Sequence, residues 1–511
     1  MRAILLFSLL SVAAAEPDLW NLARQHRGDH VFSTLFEAPT VTKQLSTDSD
    51  IGQAIDWCKR TAITKVYIES FRNGHKVARD VLVRARDRFR AAGFDVSGGV
   101  TTLGHGRRST GWKLITCFSD TVSQESVKSV FEYTAGLFDE IMIDDFWFTD
   151  CTCEECDRFR RDRKVTIGGR TTAPAGDAFE DYRRELMLRL SREYVIAASK
   201  AVNPKAKLII KYTQWYDRFH ERGYHVREQS ADFDTIWVGT ESRDRAKTGK
   251  VQYEGYFIMR WLAGIGGPKT GGGWFDPYTT SEPNYIEQAR QTILAGAKET
   301  VLFCYGALTR GEGAKDIAAL RPHFKELFTV AREVRRRPIV GIAAYKPPDS
   351  PAEKEAFVYD FIGMMGLPLV PCHEFPANAP AAFFPVHAMK DKQFPARLEK
   401  FISAGRPALV TDGLAELLAG KVNLERPNVR ILKVAGNPTS LLDLKQEELD
   451  LMRIPLLKPL KTTFRAPNQV SLYLFRDGSW AIENFNDTEA EIELNGKRAK
   501  IAARGWTYTW K

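Results

Sequence analysis

Apolar strand-like runs alternate with amphipathic helix-like runs about eight times over roughly 300 residues, and that alternation leaves the chain few architectures. The strand-like runs are VFSTLFEA (31–38), KVYIES (65–70), DVSGGVTT (95–102), EIMID (140–144), KLIIKYTQW (207–215), TIWVGTES (235–242), YFIMRWLAG (256–264) and TVLFCYGAL (300–308). Helix-like segments such as Val77 to Ala92 and Phe179 to Val202 separate them, the second stopped by Asn203 and Pro204. The expectation is an α/β fold, a (β/α)8 TIM barrel over residues 16–336, with an open doubly wound sheet as the main competitor. After the basic EVRRRP segment, IVGIAAY, LPLVPC, AAFFPVHAM, RPALVTDGL and VRILKV alternate again, as in a small flavodoxin-like α/β domain over 337–455. It carries neither GxGxxG nor a phosphate loop, so interdomain packing or oligomerisation is its expected role. Residues 460–511 switch to short alternating runs with Asp477-Gly478 and Asn495-Gly496 hairpin signals, which predicts a closing antiparallel β domain with Trp506 and Trp510 in its core.

A barrel of this kind places its chemistry at the carboxyl ends of its strands. That rule picks out Glu37, Glu69, Asp144, Asp145 and Glu241, all of them acids. The richest stretch is EIMIDDFWFTDCTCEECDR (140–158): a buried strand ends in two carboxylates, followed by aromatic residues and a cysteine cluster. Adjacent ionised carboxylates seldom end an apolar strand without a task or a partner. The plainer alternative is that Asp144 caps the next segment and the aromatics are core.

Carboxylates and ring faces at a barrel mouth suit glycosidic cleavage, where one carboxyl protonates the leaving oxygen and another attacks the sugar or activates water. Asp145 is expected as nucleophile or base, Glu241 as general acid, and Asp144 as the residue orienting a hydroxyl or tuning its neighbour. The reverse assignment, with the acid on the fourth strand and the nucleophile on the seventh, stays open, and Asp276 or Glu282 would then serve. Glu37, Glu69, Trp147, Lys211, Tyr212, Trp274 and Asp276 are expected to line the substrate pocket, Trp147 and Trp274 as ring platforms; alternatively Lys211 pairs with an acid. Gly271 to Gly273 read as a mobile lid or a plain surface loop, His105 as a solvated loop histidine, and Glu254 as structural. No GxSxG elbow and no HExxH spacing supports a different hydrolytic chemistry.

Cys151, Cys153 and Cys156 form a CxCxxC ligand set, and Cys117 could supply the fourth thiolate of a closed, structural zinc site. Disulfide or free thiols are the alternative. Cys58, Cys304 and Cys372 lie singly among apolar residues and read as buried thiols. No organic cofactor is indicated. Residues 1–15 read as a secretory signal peptide, with Arg2, an apolar run and small residues Ala13 and Ala15, which predicts a secreted or periplasmic protein. No later run is long enough to span a bilayer. The net charge of +9 lies in short mixed runs such as DRFRRDRK (157–164), which read as solvated helix faces. An oligo- or polysaccharide is therefore the expected partner, and nucleic acid is not. A non-catalytic carbohydrate-binding barrel is the competing function, to be separated by the Asp145–Glu241 distance: about 5 to 10 Å across one pocket favours catalysis.

The cysteine loop DCTCEECDRFRRD resembles that after the fourth strand of glycoside hydrolase family 42 β-galactosidases, and the order of barrel, small α/β domain and short β domain is similar. The resemblance implies zinc held by Cys117, Cys151, Cys153 and Cys156, and a trimer assembled through the middle domain. At the fourth strand tip the family carries Asn-Glu, where this chain has Asp144-Asp145. An aspartate on strand four with an acid on strand six is similar to retaining α-galactosidase-like barrels, which implies Asp145 with Glu241.

Overall fold

The computed structural model describes residues 18–144 and 147–511; Asp145, Phe146 and residues 1–17, with the signal peptide expected there, lie outside the described residues. Eight parallel strands close into a barrel: β1 (Val31–Phe36), β2 (Ile63–Arg72), β3 (Asp95–Thr101), β4 (Glu140–Asp144), β5 (Lys207–Tyr212), β6 (Thr235–Gly239), β7 (Thr270–Phe275) and β8 (Glu299–Leu302). Each pairs with its neighbour in sequence order, and β1 pairs with both β2 and β8, which closes the ring. Successive side chains point to opposite faces of a strand, so every second residue faces the barrel axis. Leu35, Tyr67, Met142, Ile209, Trp237, Trp274 and Val301 form this inner core.

Seven strands lie where the sequence pattern puts them, and β7 does not. The run 256–264 belongs to a helix, Glu254–Gly266, and the glycine run expected as a lid is the strand. Two physical causes explain the exchange. Tyr256, Phe257, Ile258, Met259, Trp261 and Leu262 are all buried, because the helix is covered by the barrel and by the middle domain; a helix buried all round loses its amphipathic period. In β7 side chains are excluded by the neighbours: a Cβ on Gly272 would stand 2.4 Å from the Glu299 carbonyl oxygen and 2.7 Å from the Trp237 ring, and one on Gly271 would stand 2.5 Å from Thr235 Cγ2. Trp237 takes the space that β7 side chains would need.

The middle region forms a five-stranded parallel sheet from β9 (Ile342–Tyr345), β10 (Leu369–Cys372), β11 (Ala382–Phe384), β12 (Ala408–Thr411) and β13 (Val429–Leu432). Its spatial order, β10-β9-β11-β12-β13, is the flavodoxin-type doubly wound order. Two antiparallel sheets follow, and the hairpin at Asn495-Gly496 has both φ values positive, as a type I′ turn requires. The first strand after the barrel, Ile339–Val340, pairs with Val470–Phe475 of this last region rather than with the middle sheet. The three parts share a continuous apolar core, and buried polar groups stitch them: Gln291 Nε2 donates to the Tyr473 hydroxyl at 2.7 Å and to Glu483 at 2.6 Å. Among the described residues no helix is long and apolar enough to cross a membrane.

Candidate active site at the barrel mouth

The inward parity that fills the barrel with Tyr67, Met142, Ile209 and Trp274 carries up one further step to Glu69, Asp144, Lys211 and Asp276. These groups converge from different strands. Arg72, at the end of β2, donates to Glu69 through Nε and Nη2, both at 2.8 Å, and to Asp144. Its Nη1 lies 3.4 Å from Glu37. Lys211 Nζ donates to the other oxygen of Asp144 and stands 3.9 Å from the centre of the Trp274 ring. Thr101 and the Ala38 amide complete the shell of Glu69, at 2.6 and 2.8 Å. Asp144 and Glu69 are fully buried. Burial outweighs Arg72, and with the nearby Asp144 charge it lifts the Glu69 carboxyl to about 7.

A second acid group stands at β6 and β7. Arg243 bridges it, donating to both oxygens of Asp276 at 2.7 and 3.0 Å and to Glu241 at 3.1 Å. The Tyr278 amide donates to Asp276 at 2.9 Å. Both carboxyls are buried under the same guanidinium, so the charge of one bears on the protonation of the other. Burial and the adjacent Glu241 push Asp276 well above the usual carboxylate range. For Glu241 burial acts upward too, but Arg243, the Asp276 hydrogen bond and Lys211 outweigh it and hold the group low.

Several expected site residues do not reach the mouth. Trp147 is core: its indole N–H donates to Ser191 at 2.9 Å and its ring packs on Phe118. Tyr212 has the outward parity of β5 and lies between strand and helices, beside Ser230, Phe219 and Tyr224. Trp274 is no lid platform but part of the inner barrel core beneath Lys211. Glu282 is exposed at the start of helix Glu282–Leu294, away from a strand tip. His105 is buried rather than solvated, 3.0 Å from the Ser126 hydroxyl and against Phe71, and burial lowers it to about 4. Glu254 is buried in its helix, paired with Lys250 at 3.0 Å.

Arg72, Thr101 and Arg243 are the participants the sequence reading missed; the signal was a guanidinium two or three residues beyond a strand-tip acid. A rim of rings was missed too. Trp112, 38% exposed, and the half-buried Trp215 stand 6.3 Å apart, both beside Phe148, on the loops after β3, β5 and β4.

Beside this rim, Cys117, Cys151, Cys153 and Cys156 bring their sulfurs within 4.8 Å of one another. Cys117 lies 3.9 Å from Cys153 and 3.7 Å from Cys156, and Cys153 lies 3.5 Å from Cys156. All four are free of disulfides. A tetrahedron of bonds of about 2.3 Å has edges of about 3.8 Å, so these separations fit four thiolates around one zinc-sized ion. The cluster could bind a metal, and it joins the loop after β4 to the loop after β3.

A family described as probable glycosyl hydrolase, catalytic domain, matches residues 16–328. The chain is 26% identical over 339 residues to an uncharacterized protein of Saccharolobus solfataricus; the match covers 62% of this chain and 56% of that one, so the chain spans little more than half the length of this curated relative. Its fold is similar to that of alpha-L-fucosidase isoenzyme 2 from Paenibacillus thiaminolyticus, with a TM-score of 0.63 at 9% identity over 91% of this chain and 92% of that chain. At that identity the likeness concerns the fold alone.

Proposed function

The chain belongs to the probable glycosyl hydrolase catalytic-domain family, and from that premise we propose that it cleaves O-glycosidic bonds of an oligo- or polysaccharide by a two-carboxylate mechanism at the barrel mouth. The observation that carries the reading is the Glu241–Asp276 pair, two buried carboxyls at the ends of β6 and β7 bridged by one guanidinium, where burial and the neighbouring charge favour a shared proton. Protonation of a leaving oxygen needs a carboxyl that keeps its proton near neutral pH, and shared burial supplies one. Asp145, directly after the buried Asp144, remains the proposed nucleophile or base by its place in the sequence. Burial and the adjacent Glu241 push Asp276 upward, which disfavours it as a nucleophile and argues against the reversed assignment. Asp144, fixed by Arg72 and Lys211, would accept a substrate hydroxyl or hold Lys211 in place. Trp112 and Trp215 offer ring faces for pyranose stacking.

The four cysteines would hold a closed structural zinc, which supplies no open coordination position and serves to clamp the rim loops. Kinship with family 42 rests on this cluster and on the order of domains. Export by residues 1–15 and assembly as a trimer through the middle domain belong to the same proposal; the first is supported by the hydropathy pattern of the N-terminus alone.

The test is a screen of chromogenic α- and β-glycosides with the wild type and Asp145→Asn in parallel. Turnover by the wild type and its loss in a folded Asp145→Asn protein are expected; equal turnover removes Asp145 from the mechanism. One observation favours a second reading, a carbohydrate-binding barrel without turnover: Arg72, Lys211 and Arg243 pair with every described acid of the site. Saccharide binding with no hydrolysis of any glycoside would establish that reading instead.

A further inference from the structure

Away from the barrel mouth, a cavity of about 840 Å³ opens between the middle sheet and the β5–β6 connection, within the ~300–1,000 Å³ typical of ligand sites. Pro347 follows β9, Phe375 follows β10 and Lys390 follows β11, so one part of the cavity lies beyond the carboxyl ends of these strands, where their order reverses, while Ala404 and Arg406, just before β12, extend its lining toward the amino end of that strand. Crevices at that point are where open α/β sheets hold ligands.

The charges of the cavity are unbalanced. Arg227, Lys390, Lys400 and Arg406 line it, and among the described residues none of the four has an ion-pair partner. Of the lining carboxylates, Asp349 is taken by Arg184 at 2.7 Å and Asp391 by Arg397 at 2.8 Å, while the Glu374 side chain is 80% exposed. On the barrel side His225 has its Nδ1 buried without a hydrogen-bond partner among the described residues. Ring faces complete the wall: Phe375 is half-buried, and the Arg406 guanidinium lies 5.6 Å from the centre of the buried Phe401 ring.

The backbone argues against a nucleotide. The turn after β9 reads Lys346-Pro347-Pro348-Asp349-Ser350-Pro351, and three of its residues have no N–H to offer a phosphate. Separated cations around ring faces suit anionic groups spaced along a chain of rings. We propose that this cavity is an accessory site for an acidic oligosaccharide, carboxylated or sulfated, held apart from the hydrolytic centre. That the anion is a sugar chain rests on the glycosidase reading; the anion site itself rests on the cavity. The β5–β6 connection carries both Trp215 at the rim and Arg227 in the cavity.

Calorimetric titration of the full-length protein tests this with an oligogalacturonide, a heparin-derived hexasaccharide, cellohexaose and pyrophosphate. One of the two acidic chains is expected to bind about tenfold tighter than cellohexaose, and to weaken about tenfold in Lys400→Glu/Arg406→Glu and again between about 50 and about 200 mM salt. Which acidic chain binds decides between carboxylate and sulfate. Equal binding of neutral and acidic chains, indifference to the charge reversal, or tighter binding of pyrophosphate than of either sugar would overturn the proposal. Both side chains reach solvent, and Arg227→Glu on the opposite wall, expected to weaken binding alike, guards against a folding defect. Acidic-chain binding by a protein inactive on every glycoside would sink the catalytic reading alone; hydrolysis with no such binding would sink only this one.

Discussion

Replacing Arg243 by Gln removes the cation that, among the described residues, bridges Glu241 and Asp276, and the outcome can be worked from the geometry. With one proton between them the two carboxyls carry a single negative charge, which Arg243 balances at 2.7 to 3.1 Å. Without it the fold has two routes. Leaving the charge buried and unpartnered costs about 3–5 kcal/mol. Taking up a second proton at pH 7, on a carboxyl that ordinarily titrates near about 4, costs about 4 kcal/mol. The routes converge, and because Arg243 keeps 19% of its side chain exposed and Lys211 still acts on Glu241, a net loss of about 3 kcal/mol is expected at pH 7. By the second route the loss shrinks to about 1 kcal/mol at pH 5, where the proton is nearly free. The retained proton is also held more tightly, so the alkaline limb of the kcat/KM profile should move up, with kcat reduced about 10²- to 10³-fold. Urea unfolding at the two pH values and a pH–rate profile on the best substrate of the screen measure both effects. A loss below about 1 kcal/mol at both pH values, with the alkaline limb unmoved, would refute the view that Arg243 compensates a shared-proton pair.

The other predictions concern separate parts of the molecule. Glu69 keeps its proton up to about 7 in the fold, so its contribution is complete below the ordinary carboxylate range and is lost as pH rises through about 7, to a total of about 3 kcal/mol. Glu69→Gln should flatten that slope between pH 5 and 8, and an unchanged slope would show that the group titrates normally. Purified protein should carry about one zinc per chain, and Cys156→Ser should lose it together with protection of residues 107–120 and 147–162 from proteolysis; a metal-free protein with full activity would reject the clamp. Gly272→Ala should destabilise the barrel by about 1–3 kcal/mol, since the new methyl would meet the Glu299 carbonyl and Trp237, and a melting temperature equal to wild type would contradict the packing of β7.

What could be read from the sequence alone was whatever is encoded locally. Alternation along a strand depends only on where each Cβ points, so the acids at the ends of β1, β2, β4 and β6 and the inward Lys211 were legible. So were the cysteine set and the Asn495-Gly496 hairpin, which rest on short spacings and a backbone preference. Tertiary structure decided the rest, because it depends on neighbours distant in the chain. Helix Glu254–Gly266 reads as a strand since packing buries Glu254 to Met259 without a break, and β7 reads as a loop since Trp237, on another strand, claims its side-chain space. Parity turned Tyr212 outward, and burial took Trp147 into the core. Arg72 reaches Asp144 across 72 residues and Arg243 reaches Asp276 across 33. An ion pair is a property of two positions in space, and only the closed barrel brings them together.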